Sequence, residues 1–198
     1  MGRKHVAVGG LFVAVLLAGC VTGAPRTEKL ATATILDNCR LLVLPFINES
    51  DAPNAGVVAT RVFQAALFQI AGIASIPEGD VRTLYRQLRL PPTSLPEGEQ
   101  RRVLASRLDA AFLVRGRVIT MTPGKASQQK EPEVALEVAI VKSDDGRVMA
   151  STYHRRKGGE YRKLLHFGAV QTVTELTRLV AEEIVARWRA EGVLRCRE

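Results

Sequence analysis

Arg40-Leu41-Leu42-Val43-Leu44-Pro45-Phe46-Ile47 is the stretch whose reading decides the fold. An apolar run of this length, opened by an arginine and closed by Asn48, reads as a strand buried on both faces, because a half-wet strand would alternate. Pro45 has no amide hydrogen for the ladder, so the strand must bulge or end near it. Asn48-Glu49-Ser50-Asp51-Ala52-Pro53-Asn54 is a loop by its turn chemistry. Ala55 to Ala71 then reads as a helix with Asn54 as N-cap and Gly72 as the left-handed stop. Val58, Val62, Phe63, Ala65, Ala66, Leu67 and Ile70 cover more than one side of it, so it is largely buried.

Outward from there, Ile73 to Ile76 reads as a short strand, and Pro77 opens a second helix with Val81, Leu84, Tyr85 and Leu88 inward. Arg82, Arg86 and Arg89 share its other side and are expected as a solvated face. Leu90 to Pro96 is a stiff, proline-rich connector. Glu97 to Leu108 reads as a third helix with Val103, Leu104 and Leu108 inward. Asp109-Ala110-Ala111 is expected to start a strand that runs to Met121, and Pro123 to Pro132 is a polar loop. Val134, Leu136, Val138 and Ile140 alternate with Glu133, Ala135, Glu137 and Ala139, the pattern of a half-buried strand. Asp144-Asp145-Gly146 is a hairpin turn, and Arg147 to Arg155 returns as the partner strand, completing an antiparallel meander. His154 is expected to face outward. Arg156 to Phe167 is a charged loop containing glycine. Thr172-Val173-Thr174-Glu175 fits a capping box at the start of a last helix. That helix carries Val173, Leu176, Val180, Ile184 and Trp188 on one stripe, broadened by Leu179 and Val185, ends at Gly192, and must cover a sheet face.

The N-terminus has a different logic. Arg3 and Lys4 precede an apolar run from Val6 to Leu17 that is short for a membrane span, which needs ~20 residues. Leu17-Ala18-Gly19-Cys20 closes it with small residues and a thiol. The tetrapeptide resembles the bacterial lipobox at all four positions. The resemblance implies cleavage between Gly19 and Cys20 and a covalent lipid on the Cys20 thiol. The rival readings are an ordinary signal peptide and an N-terminal anchor helix. The expected division is a signal peptide over 1–19, a lipidated tether over 20–38 and one α/β domain over 39–198. Residue 21 is Val and not the Asp that retains many such lipoproteins at the inner membrane. That points to the inner leaflet of the outer membrane, with the domain facing the periplasm.

Loss of residues 1–19 removes Arg3 and Lys4 and lowers the formal charge from +8 to +6. The remaining cations are scattered, densest at Arg155-Arg156-Lys157 and Arg162-Lys163. A nucleic-acid partner does not suit an exported lipoprotein. An anionic lipid or glycan surface does, and a merely solvated basic face is the plainer alternative. With Cys20 lipidated, Cys39 and Cys196 are left in an oxidising compartment, where two such cysteines are expected to pair, free thiols being the alternative. The bridge would tie the last helix to the start of the sheet across a loop of over 150 residues, worth about 4–5 kcal/mol on the chain-entropy model. For catalysis there is little material. His5 leaves with the signal, so His154 and His166 remain, with no Cys or carboxylate at metal-ligand spacing. No nucleophile elbow or phosphate loop is present. No metal and no cofactor beyond the lipid is expected.

Val43-Leu44-Pro45-Phe46-Ile47-Asn48 and Ala52-Pro53-Asn54-Ala55-Gly56 resemble the corresponding stretches of small envelope lipoproteins with the TolB N-terminal-like fold. Asp109-Ala110-Ala111-Phe112-Leu113-Val114-Arg115-Gly116 resembles that group's approach to its central strand, and Asp145-Gly146 its hairpin turn. The group includes the curli-secretion, penicillin-binding-protein-activator and Pel polysaccharide-export lipoproteins. The proline-containing helix start most resembles the Pel-export member. The Arg156–Phe167 loop and the Cys39/Cys196 pair depart from its pattern. The expected fold is α/β, with one mixed, largely antiparallel sheet of four or five strands and helices packed on it. The resemblance implies a non-enzymatic accessory or ring subunit in export or assembly of an envelope polymer, with an envelope protein or glycan as partner. A lipoprotein that activates a peptidoglycan synthase and a glycan-modifying enzyme are the alternatives; loss of an envelope phenotype on mutating His154, His166 or Asp109 in a folded protein would favour the enzyme.

Overall fold

The computed structural model describes residues 23–31, 39–70, 72–124, 130–162 and 168–193. Leu17–Cys20, the stretch that resembles a lipobox, and also His166 and Cys196, lie outside the described residues. The elements are β1 (Arg26–Lys29), β2 (Arg40–Val43), β3 (Ile47–Asn48), α1 (Ala55–Phe68), β4 (Ala74–Ser75) and α2 (Glu78–Gln87), followed by α3 (Gly98–Leu108), β5 (Phe112–Thr122), β6 (Glu133–Lys142), β7 (Val148–Lys157), a 3-10 turn (Gly158–Tyr161) and α4 (Val173–Ala190).

The class is α/β, with one mixed sheet of order β1-β7-β6-β5-β2-β4, and β3 pairs with β5 beside β2. Among the described residues it has seven strands, more than the four or five expected, for two reasons. Pro45 divides the opening apolar run. β2 pairs with β5 up to Val43, and β3 resumes the same parallel pairing at Ile47. Between them the Phe46 amide turns from the sheet and donates to Thr60 Oγ1 of α1 at 2.9 Å. The second reason lies in the stretch expected to be tether. Arg26–Lys29 pairs antiparallel with Ala150–Tyr153 of β7, so part of Val21–Asp37 belongs to the sheet. No apolar alternation marked β1, because only Thr27 turns partly inward, where its hydroxyl meets that of Thr152 at 2.9 Å.

Helices lie on both faces. α1 and α4 pack on Val114, Val118, Val134, Leu136, Val138 and Ile140. Of the expected α4 stripe, Leu176, Val180, Ile184 and Trp188 are fully buried, and Val173 in the first turn is partly buried. The rings of Phe46, Phe63 and Trp188 form a relay with centroids 5.6 and 5.5 Å apart. Phe46 needs Gly116 beneath it, since a Cβ there would fall 2.2 Å from the ring. On the opposite face α2 and α3 cover Leu42, Leu44 and Leu113. Beyond them that face carries exposed Arg115, Tyr153 and Arg155.

Three local expectations change. Asp109 belongs to the end of α3 and not to the strand: it takes a left-handed φ of 52° as C-cap, and β5 starts at Phe112. Asn54 gives no side-chain cap to α1. β6 is more than half-buried, because Ala135, Ala139 and Val141 on its second face are buried too. Small Ala139 lies between cross-strand neighbours Arg115 and Ser151, and Ala135 beside Arg155, whose longer side chains can cover them. Of the expected capping box the Thr172 half is present, accepting from the Glu175 amide at 3.3 Å, while the Glu175 carboxylate turns to Arg178.

Candidate functional site

Two arrangements offer more than packing. The first is a groove of about 450 Å³ between the β2–β3 break, α1 and α2. Pro45 and Pro53 keep the backbone from closing over it, and Val43, Val57, Val81, Tyr85, Leu90 and Pro92 make it apolar. Its floor holds two polar groups that are already satisfied. Thr60 Oγ1 donates to the Gly56 carbonyl at 2.7 Å, and Gln64 Nε2 donates to the Ile76 carbonyl at 2.6 Å. Arg61, Arg82, Arg86 and Glu78 form its charged rim. Arg61 Nε donates to Glu78 Oε2 at 2.9 Å, and Arg82 stands 3.8 Å from Oε1. The Arg61 hydrogen bond, opposed by partial burial, holds the Glu78 carboxyl below its ordinary range. The rim thus holds three guanidinium groups and one carboxylate, two of the three paired with it. The α2 arginines expected as a solvated face are exposed, but two of the three, Arg82 and Arg86, border a pocket. Arg89 lies past the helix end with a φ of 54°. A concave, largely apolar space of this size with a few placed charges suits an amphipathic ligand or an apolar peptide anchor.

The second arrangement is a polar cluster between β7 and α4, which overturns the outward reading of His154. That side chain is 2% exposed and its Nε2 is hydrogen-bonded to Glu183 Oε2. Arg156 Nε donates to the same oxygen at 2.9 Å, and Tyr161 Oη donates to Oε1 at 2.8 Å. Arg156 Nη1 also donates to Glu160 Oε2 at 3.0 Å, and its guanidinium lies 5.5 Å from the Tyr161 ring centroid. Burial disfavours the charged form of Glu183, but the donors His154, Arg156 and Tyr161 outweigh it and hold the carboxyl at about 2. Burial, reinforced by the Glu183 charge, pushes the Tyr161 phenol above its ordinary value. Every member faces a counter-group, and among the described residues the side-chain partner of His154 is a carboxylate. The geometry ties β7 to α4.

The parity of β7 explains why His154 was misread. Met149 and Tyr153 are its larger apolar side chains and share a face in simple alternation, leaving His154 opposite. A register shift at Ile140/Val141 inserts Met149 as an extra residue. Beyond it Thr152 and His154 point into the core, while Tyr153 is 42% exposed. Asp109 is not brought to His154; it lies 3.7 Å from Arg40 at the other end of β5, an exposed pair. Cys39 stands just before β2. Among the described residues no cluster of three or more His, Cys, Asp or Glu side chains suits a metal ion, and no helix is long and apolar enough to cross a membrane.

No family model and no curated protein matches the chain. Solved structures do. The chain is similar to PelC from Paraburkholderia phytofirmans, solved as a dodecamer, with a TM-score of 0.57 at 15% identity, covering 89% of this chain and 99% of that one. It is also similar to lipoprotein GNA1162 from Neisseria meningitidis, with a TM-score of 0.54 at 17% identity, covering 77% of this chain and 99% of that one. The fold is thus the one expected from the envelope-lipoprotein resemblance.

Proposed function

We propose that the chain is a non-enzymatic lipoprotein, anchored through Cys20 in the inner leaflet of the outer membrane, whose domain serves export or assembly of an envelope polymer from the periplasmic side. The observation that carries this reading is the likeness to the PelC dodecamer across nearly the whole of both chains. The lipobox at Leu17–Cys20 supplies the address. Assembly of several copies into a ring is the corresponding mode of action, and the groove beside α2 is the surface for an envelope protein or glycan.

Light scattering on the acylated protein in detergent tests this. A ring of many copies supports the export reading; a monomer favours an activator of a peptidoglycan synthase instead. Labelled palmitate is expected to enter the wild type, and Cys20→Ser is expected to abolish both the label and membrane fractionation. Equal processing and location of the two forms would remove the proposed address.

The same proposal pairs Cys39 with Cys196 across the compartment's oxidising chemistry. Alkylation with and without prior reduction is expected to differ by two blocked thiols in the purified mature protein. Equal masses would leave both as thiols and withdraw the bridge.

A further inference from the structure

We infer that the β7 C-terminal end of the sheet rests on the anionic phospholipid surface that holds the Cys20 anchor, so the domain sits directly on the bilayer and not on a long leash. The inference depends on the lipidation of Cys20 proposed above. It begins with β1. The register that sets Arg26 opposite Tyr153 places Gly23 opposite Arg156. Gly23 has a φ of 117°, and a Cβ on it would fall 1.7 Å from Arg156 Nη1, so the guanidinium fills the space that only glycine leaves. Arg156 is itself immobilised. Its side chain is 15% exposed and donates to Glu183 and Glu160 while stacking near Tyr161.

Residues 23–29 are therefore held against β7. Cys20 lies three residues earlier, a span of at most ~11 Å even when fully extended. Acyl chains on Cys20 bring the bilayer surface to that end of the molecule. The end consists of the close of β7, the start of β6 and the 3-10 turn, since Lys157 pairs with Glu133 and the turn follows at Gly158. Lys130 and Lys157 are exposed there, and neither is in an ion pair among the described residues. Arg162 adds a cation shared with Glu131 at 3.2 Å. Free ammonium groups beside a lipid anchor suit phosphate headgroups, which act over about a Debye length. β7 then stands away from the surface, and its ten residues carry the Asp144–Gly146 turn about 33 Å outward when upright.

Hydrogen exchange on the full-length acylated protein in vesicles tests the arrangement. With phosphatidylglycerol present, amides of 130–133 and 157–162 are expected to exchange severalfold more slowly than in phosphatidylcholine alone, with 144–147 unchanged. The double variant Lys130→Glu/Lys157→Glu is expected to lose that difference while keeping its anchor. An insertion of about twenty Gly and Ser residues after Val21 is expected to lose it as well, because the domain is then free to leave the surface. Acylated, vesicle-bound protein that exchanges alike at both ends, with or without the insertion, would overturn this inference and leave the lipid anchor standing. An intact mass without acyl chains would remove the anchor reading and this inference with it.

Discussion

Trp188→Ala is expected to lower stability by about 3–5 kcal/mol, the usual cost of emptying a large aromatic site. Trp188 is fully buried, closes the ring relay through Phe63, and donates from Nε1 to Thr152 Oγ1 at 2.7 Å. Thr152 also meets Thr27, so the indole joins α4, β7 and β1 in one contact chain. Alanine leaves a cavity and takes the donor from a buried hydroxyl. For a domain of this size the loss corresponds to roughly 6–20 °C in Tm. Trp188→Phe retains most of the volume and isolates the hydrogen bond, worth about 1 kcal/mol. Thermal or urea unfolding of the three forms measures both. An alanine variant within about 1 kcal/mol of wild type would show that the site collapses at little cost.

Glu183→Gln is expected to cost about 2–3 kcal/mol near neutral pH, and the loss is expected to vanish in acid. The native carboxyl titrates at about 2, against 4.5 in the unfolded chain. A depressed carboxyl stabilises the fold above the unfolded value. That contribution declines as pH falls from 4.5 and is gone below 2. The carboxylate is 27% exposed, and solvent screening sets the figure below the full shift. Glutamine keeps the shape but removes the charge that receives His154, Arg156 and Tyr161. Urea unfolding at several pH values is expected to give curves for the two proteins that separate above pH 4.5 and converge near pH 2. Parallel curves across the range would assign the cluster's contribution to shape alone.

The two variants probe regions of very different legibility. Trp188 was placed correctly by spacing alone, because a helix repeats locally and its buried stripe shows in the order of residues. The β6–β7 hairpin was equally legible: Asp145-Gly146 asks for positive φ, and Gly146 has 77°. Pro45 also announced its break, since a missing amide is a property of one residue. Glu183 was not legible as the hub of a polar cluster. Its importance depends on His154 and Tyr161 arriving from β7 and the turn beyond, and His154 arrives only because Met149 shifts the strand's parity.

β1 and the groove were hidden for the same reason. Arg26-Thr27-Glu28-Lys29 has the composition of a linker and becomes a strand because β7 offers it an open edge. The groove exists because α1 and α2, on opposite faces of the sheet, meet the β2–β3 break with two prolines between them. The amino-acid sequence by itself determined the α/β class, the antiparallel meander and the long covering helix, all written in neighbours a few residues apart. Only the tertiary structure decided which side of β7 faces the core, where the arginines of α2 lie and that Arg26–Lys29 joins the sheet. Those follow from pairings between distant segments, whose register no single segment encodes.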